Sequence, residues 1–303
     1  MPALFDQPPA LALDTPISAE REDAYLFWDD RAVLAVNVAL AADRPLLIRG
    51  PAGCGKSSLA RAVAKAKDWN LLEVTITART EPRDLLWELD AVARLSDAQA
   101  GATLRPIAAY IRPGPLWWAF NASSAEQQRG ELAETSPGMA PFPPTRHGKR
   151  CVLLLDEIDK ADPDLPNALL EALGERRFPV PPLAREVTRQ AEPPLVVITT
   201  NEYRELSRPF LRRCVQLRLD LPDAARLVEI AQYHFGPDTR GIYEALAVKC
   251  LGLRREQVIA AEQRPGPAEY LDAVRACASL GVTPGTPQWD WLVELTMQKP
   301  EVE

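Results

Sequence analysis

The residues best suited to chemistry lie in an eight-residue stretch, 50–57, that reads Gly-Pro-Ala-Gly-Cys-Gly-Lys-Ser and matches the pattern G-x-x-x-x-G-K-[ST]. Its glycines let the backbone curl so that N–H groups point at phosphate oxygens, and a helix N-terminus adds partial positive charge. Lys56 would reach the β- and γ-phosphates, and the Ser57 hydroxyl would ligate Mg²⁺. An apolar strand pattern before the loop and a helical pattern after it argue against a chance glycine turn. The stretch predicts a site for a nucleoside triphosphate.

Nucleotide binding is assigned to the loop and the residue that follows it: Gly50, Pro51, Ala52, Gly53, Cys54, Gly55, Lys56, Ser57 and Ser58.

A second string has four apolar residues, 152–155, followed by Asp156 and Glu157. This is the pattern of a buried parallel strand that delivers carboxylates to its carboxyl end, where α/β sheets place ligands. Asp156 would hold Mg²⁺, and Glu157 would polarise the attacking water as general base. The alternative is a strand that ends in an acidic helix cap. Downstream of a phosphate-binding loop the catalytic interpretation is favoured, and the two strings together predict ATP hydrolysis.

A third apolar run, 195–200, ends at Asn201, whose amide is placed to orient the lytic water or touch the γ-phosphate. Arg212 and Arg213 follow, and arginines in this place invite the arginine-finger interpretation, in which a guanidinium enters a neighbouring subunit's site. From the residues alone, a solvated or salt-bridged pair is the favoured interpretation of these two arginines.

Composition limits the remaining options. The 303 residues carry a net charge of −7 with both signs mixed along the chain, so no basic footprint for nucleic acid is present. Five scattered cysteines and two histidines indicate neither a disulfide framework nor a zinc site, which fits a reducing compartment. Because the sequence shows neither a signal peptide nor an apolar run of membrane-spanning length, we expect a soluble, cytoplasmic protein without membrane insertion.

The pattern along the chain predicts three parts. Residues 1–20 are proline-rich and are expected to form a flexible N-terminal arm. Residues 21–220 alternate strand and helix patterns, as in an α/β nucleotide-binding core, beginning with a helix over 24–42. Residues 221–303 show helical patterns only, which predicts a helical lid domain with a C-terminal helix.

The order of these motifs resembles the core of AAA+ ATPases. Several local strings are similar to the MoxR-type branch of that family, and they occupy residues 35–40, 112–116, 155–161, 167–173 and 211–214. The resemblance runs over roughly residues 24 to 282 and thins in the lid. It implies a P-loop NTPase (AAA+) fold, in which a parallel sheet is flanked by helices and followed by a small all-α lid.

The resemblance also implies roles for single positions. Lys56 and Ser57 match the Walker A residues, Asp156 and Glu157 the Walker B pair, and Asn201 the sensor 1 position. Arg213 falls where the family's arginine finger is expected, with Arg212 in reserve. Arg264 is the candidate for sensor 2, although the sequence around it differs from the motif usual in the family's lid.

Two insertions are implied in the same way. MoxR-type proteins carry a helical insertion that would fall within residues 77–112. They also carry a β-hairpin that would fall within residues 178–190. In the family such insertions face the substrate or the ring pore.

The implied function is that of a Mg²⁺-dependent ATPase that forms a homo-oligomeric ring, expected to be a hexamer, and acts as a chaperone-like remodeler. MoxR-type ATPases often serve a von Willebrand factor A domain protein, and no such domain is recognised here, so we expect a separate client chain. One alternative is a DNA-associated AAA+ motor or clamp-loader-like ATPase, against which the acidic charge counts. A P-loop small-molecule kinase and a nucleotide-gated scaffold with little hydrolysis are further alternatives.

Overall fold

The structure of the protein is a computed structural model that describes residues 30–100, 104–132, 149–190, 192–256 and 264–297. The predicted N-terminal arm, 1–20, lies outside the described residues. None of the helices within those ranges combines the length and the apolar character needed to cross a bilayer.

The strands of the described residues are β1 (Leu46–Arg49), β2 (Asn70–Thr75), β3 (Trp87–Leu89), β4 (Ile111–Pro113), β5 (Cys151–Asp156), β6 (Arg177–Val180), β7 (Arg185–Thr188), β8 (Leu195–Thr200) and β9 (Val215–Arg218). The α-helices are α1 (Asp30–Ala42), α2 (Lys56–Lys67), α3 (Ala91–Gln99), α4 (Pro115–Phe120), α5 (Ala122–Gly130), α6 (Asp164–Glu175), α7 (Arg208–Arg213), α8 (Ala224–Phe235), α9 (Ile242–Glu256), α10 (Pro267–Leu280) and α11 (Pro287–Met297).

The central sheet has the order β2-β5-β8-β1-β9. Strand β5 pairs in parallel with β2 and with β8, so that Thr75 lies opposite Asp156 and Leu155 opposite Ile198. All six residues of β8 are buried, as are the first five of β5. Strands covered on both faces are what a parallel sheet between helices requires, because its crossover connections place helices on the faces. The predicted fold class is confirmed.

The insertion after β2 differs from its prediction. The helical insertion predicted within residues 77–112 does contain helix α3, but β3 and β4 also pair there as a small antiparallel sheet with Leu89 opposite Ile111. Helix α3 connects the two strands and has no buried residue, and the strands on either side of it are what the helical prediction missed.

The predicted hairpin after α6 is confirmed. Strands β6 and β7 pair antiparallel, with Phe178 opposite Val187. Phe178 is buried and packs its ring against Trp117 and Phe120 at centroid distances of 6.3 Å and 5.8 Å. Aromatic contacts of this kind fix the base of the hairpin against the core.

Contacts divide the chain into two units that do not follow chain order. Among the described residues, the first unit contains 31–48 and 63–217, and the second contains residue 30, residues 49–62 and the C-terminal helices from residue 218. The first unit has its apolar core around β5, β8 and α4. The second has a core of its own, to which α8, α9, α10 and α11 all contribute. The predicted bounds of 21–220 and 221–303 stay a prediction.

Candidate nucleotide site

The glycine loop of residues 50–57 belongs to the second unit, and its shape depends on residues without a side chain. Gly50, Gly53 and Gly55 all have positive φ, at 151°, 75° and 95°. A Cβ added to Gly50 would overlap the carbonyl oxygen of Leu219. No other residue type fits at Gly50 without moving the backbone, which supports the sequence argument for these glycines.

Lys56 opens α2 and is 6% exposed. Its ammonium donates hydrogen bonds to the carbonyl oxygens of Gly50 at 2.9 Å and Pro51 at 2.7 Å. A buried ammonium needs such acceptors, because desolvation of an unpartnered charge is costly. The loop therefore holds its lysine on its own carbonyls, and Ser57 and Ser58 follow in the first turn of α2.

Cys54 sits at the centre of the loop. Burial raises the pKa of its thiol, and the nearby charge of Lys56 only partly opposes that effect. A thiol that stays protonated near neutral pH is a poor nucleophile, so Cys54 contributes shape rather than covalent chemistry.

The N-terminus of α10 approaches the loop within the second unit. A Cβ added to the N-cap residue Gly266 would lie 3.4 Å from the carbonyl oxygen of Ala52 and 3.6 Å from the Cα of Gly53. The Gly266 N–H donates to the Glu269 carboxylate at 2.9 Å, which caps the helix. Arg264 precedes this cap and is exposed, and its sensor 2 role stays a prediction.

The acidic pair lies in the first unit, at the carboxyl end of β5. The hydroxyl of buried Thr199, on β8, donates to the Asp156 carboxylate. The same hydroxyl oxygen accepts the backbone N–H of Glu157 at 2.9 Å. One side chain thus fixes both the carboxylate of Asp156 and the start of the chain turn after it.

Glu157 itself has left-handed backbone angles, φ 63° and ψ 49°. One carboxylate oxygen accepts from the Asn201 amide nitrogen at 3.1 Å, and the other accepts from the Lys160 ammonium at 2.6 Å. The hydrogen bond and charge of Glu157 raise the pKa of Lys160, so the ion pair is kept at neutral pH. The predicted general base, Glu157, and the predicted water-orienting residue, Asn201, are therefore in direct contact.

Asp159 anchors the loop that carries Asn201. It is 4% exposed, and one carboxylate oxygen accepts the backbone N–H groups of Asn201 at 3.2 Å and Tyr203 at 3.0 Å. Buried carboxylates that accept backbone N–H groups order the loops that supply them. Asp159 therefore fixes the position from which Asn201 reaches Glu157.

Arg212 and Arg213 are the last two residues of α7, and both are exposed. Their carbonyl groups, not their side chains, have a described partner in the guanidinium of Arg44. The finger role of either arginine stays a prediction.

Sequence reasoning missed Thr199, Lys160, Asp159 and Arg44. A signal for Thr199 existed, because parallel pairing of β5 with β8 places the residue two before Asn201 next to Asp156. Lys160 follows Glu157 by three residues, a spacing at which side chains in a helical turn meet. Arg44 left no such signal, since it is far along the chain from α7.

The donor set suits a hard divalent cation. Taken separately, Asp156 of the first unit offers carboxylate oxygens and Ser57 of the second offers a hydroxyl, and Mg²⁺ prefers oxygen from one or two protein groups together with water and substrate phosphates. Within the described ranges, no three His, Cys, Asp or Glu side chains cluster closely enough to hold a metal ion. A cation that depends on phosphate oxygens fits these residues better than a site built from protein ligands alone.

A glycine loop before a helix, and acids at the end of a buried parallel strand, define a P-loop nucleotide-binding fold. A family model described as the AAA domain, dynein-related subfamily, matches residues 45–214, more than half of the chain. The chain belongs to this AAA family. Nucleotide binding and hydrolysis are general properties of AAA domains.

Among solved structures, the chain is similar to the Thermotoga maritima RuvB Holliday junction branch migration motor. The two share 17% identity at a TM-score of 0.48, over 88% of this chain and 67% of that one. A proline-to-glycine mutant of the same RuvB gives 16% identity and a TM-score of 0.48, over 88% and 69% of the two chains. No curated protein matches the sequence.

Proposed function

We propose that the protein is a Mg²⁺-dependent ATPase of MoxR type that works as a ring and remodels a separate partner protein. The observation that carries this proposal is the hydrogen bond between the Glu157 carboxylate and the Asn201 amide. It supports the assignment of Glu157 as general base and Asn201 as the water-orienting group, because the two side chains meet at the tips of β5 and β8.

The glycine loop would bind the triphosphate of ATP. Lys56 already uses two carbonyl acceptors, and phosphate oxygens are stronger acceptors because they are charged. Exchange of those acceptors would move the ammonium onto the phosphates without exposing it to water. Ser57 and Asp156 would hold Mg²⁺, which supplies charge neutralisation at the phosphates.

Glu157 would accept the proton of the attacking water, with Asn201 holding the carboxylate and the water in line. The Lys160 ammonium donates to the second carboxylate oxygen and so helps to hold the orientation of the Glu157 side chain. Thr199, hydrogen-bonded to the Asp156 carboxylate and to the Glu157 N–H, would hold the two residues in place during the reaction.

An arginine from a neighbouring copy would complete the site, with Arg213 preferred to Arg212. Exposure of both at the end of α7 supports this role, since a finger must leave its own subunit. The ring, expected to be a hexamer, would pass each hydrolysis step to a client, with a von Willebrand factor A domain protein as the proposed client type. The cytoplasm is the proposed location, supported by five free cysteines.

The proposal is tested by the mass of Glu157→Gln protein, measured by light scattering with and without ATP and Mg²⁺. The substitution removes the base and keeps the shape of the side chain. The protein should therefore stay bound to unhydrolysed ATP, and in that state it should form a closed ring. Lys56→Met is the matched control and should stay unassembled at the same ATP concentration. A Glu157→Gln protein that remains a monomer with bound ATP would contradict the ring. In that case, ATP turnover of the wild-type protein that rises when DNA is added would favour a nucleic-acid motor.

A further inference from the structure

Arg44, in the turn between α1 and β1, makes an unusual set of contacts at the end of α7. Its guanidinium donates to the carbonyl oxygens of three consecutive residues: Nε to Arg213 at 3.0 Å, and one terminal nitrogen to Arg212 and to Cys214 at 3.1 Å. All of these residues belong to the first unit.

These carbonyl groups are the ones that a helix leaves without an internal partner. The last turn of a helix has no following N–H groups to donate to its carbonyls, so they need side chains or water. A fixed fork of donors is suited to bind several carbonyls at once, and a cation near a helix C-terminus is also favoured by the helix dipole. Arg44 therefore holds the backbone from which the Arg212 and Arg213 side chains project.

Arg44 is itself held firmly. Its backbone N–H donates to the carbonyl of Ala39 at 3.0 Å, and the preceding residue, Asp43, has a left-handed φ of 53°. This is the hydrogen-bond pattern that closes the C-terminus of a helix. On the other side, the N–H of Val215 donates to the carbonyl of Pro45 at 2.9 Å.

The neighbouring carboxylate, that of Asp43, binds other arginines. Asp43 accepts two hydrogen bonds from Arg189, at 2.8 Å and 2.6 Å, and forms an ion pair with Arg176 at 3.0 Å. The Asp43 charge is thus engaged with the hairpin side of the unit, while the described partners of the Arg44 guanidinium are the α7 carbonyls.

We infer that Arg44 is a positioning residue for the arginine finger: it fixes the end of α7, and with it the direction in which Arg213 or Arg212 enters the neighbouring subunit's site. This inference rests on the proposed trans-arginine mechanism. A finger contributes about 10³ to 10⁵ in rate, and misplacement of a catalytic group by about 1 Å costs about 10²-fold. Loss of Arg44 should therefore cost less than loss of the finger and still slow turnover measurably.

The variant is Arg44→Met, which keeps the length of the side chain and removes the charge and the donors. Turnover should fall roughly 10- to 100-fold while the Kd for ATP stays within about threefold, because the misplaced group acts on chemistry and not on nucleotide binding. Arg176→Met is the matched control: it removes a cation that pairs with Asp43, the residue before Arg44, but has no described contact with α7, and its turnover should be unchanged. Arg44→Lys keeps the charge without the fork and should give an intermediate loss.

Mixed rings separate a finger defect from a damaged site. Arg213→Ala has an intact base, and Glu157→Gln has an intact finger, so a 1:1 mixture should regain activity at about a quarter of its interfaces. If Arg44 acts through the finger, Arg44→Met should behave like Arg213→Ala. It should regain turnover when mixed with Glu157→Gln and show no gain when mixed with Arg213→Ala.

Three results would overturn the inference in distinguishable ways. Full turnover of Arg44→Met would show that α7 needs no such support. A slow Arg44→Met that is rescued by Arg213→Ala, and not by Glu157→Gln, would place its effect in its own subunit's site. If neither Arg213→Ala nor Arg212→Ala regains turnover with Glu157→Gln, the trans-arginine mechanism itself fails, and the role of Arg44 fails with it.

Discussion

The acidic strand ends of the first unit and the glycine loop of the second are built by different means. At the strand ends, side chains bind one another: Thr199 holds Asp156, and Asn201 and Lys160 each hold one oxygen of Glu157. In the loop, the backbone holds the residues in place, with three glycines at positive φ and Lys56 bound to main-chain carbonyls.

Because of this difference, substitutions in the two regions should cause different kinds of functional defect. Side chains that orient a base affect the rate of the chemical step, because they matter most when charge moves in the transition state. A loop shaped by glycine backbone presents N–H groups to a ligand, so its changes should affect nucleotide affinity first. Three experiments probe this distinction.

Of the three experiments, the largest effect is a loss of turnover expected at Asn201, and Lys160, the other partner of Glu157, serves as the comparison. Asn201→Ala should lower turnover about 10²-fold, because it removes a preorganised donor next to the base. Lys160→Met should change turnover by less than about fivefold, because solvent screens the charge of an exposed lysine and weakens its ion pair with Glu157. Steady-state turnover at saturating ATP measures both, and equal losses in the two variants would contradict the assignment of Asn201 to the reaction.

A smaller effect is expected from the residue that joins β5 to β8. Thr199→Val leaves the Asp156 carboxylate and the Glu157 N–H without their buried partner, which should lower the free energy of unfolding by about 1–3 kcal/mol. Thr75→Val changes an exposed threonine opposite Asp156 on β2 and should stay within about 0.5 kcal/mol of the wild type. Chemical denaturation compares the two. A Thr199→Val protein as stable as Thr75→Val would mean that the hydroxyl does not hold the strand ends.

The smallest effect is expected in the glycine loop, where we predict a change in the rate at which Cys54 is alkylated. Cys54 is the half-buried one of the five cysteines, and the other four are buried. Because burial raises the pKa of the Cys54 thiol, its reaction with iodoacetamide at neutral pH should be slower than that of free cysteine. The rate should rise as the pH approaches the raised pKa, where the reactive thiolate forms.

ATP should slow the alkylation of Cys54 further by covering the loop, and Cys54→Ser should abolish the native-state label. Labelling that ATP does not slow would contradict nucleotide binding at the loop, and labelling of the buried cysteines first would contradict the greater exposure of Cys54.

The sequence predicted the five strands of the central sheet, the helix after the glycine loop and the hairpin, since each has either a strong apolar pattern or a known motif at its boundary. Three glycines with positive φ were inferable, because the loop motif needs a tight backbone curl. The antiparallel pair β3–β4 was missed because its strands are only three residues long and lie in a segment with a helical pattern.

Site residues far apart along the chain escaped for a physical reason. Arg44 meets α7 only because β1 and β9 are neighbours in the sheet, a fact set by tertiary packing. Asp159 reads as one more charge after the Walker B acids, and its burial under the Asn201 loop appears only once β5 and β8 are paired. Local patterns carry no information on such contacts.

The most direct test of the account measures ATP binding and ATP hydrolysis separately in two variants. Lys56→Met should lose ATP affinity by at least roughly 10-fold, because it removes the charge that meets the phosphates. Glu157→Gln should bind ATP about as tightly as the wild type and lose about 10²- to 10⁴-fold in turnover, because only the base is removed. Glu157→Gln protein that hydrolyses ATP at the wild-type rate would contradict the central claim that Glu157 is the base of an ATPase.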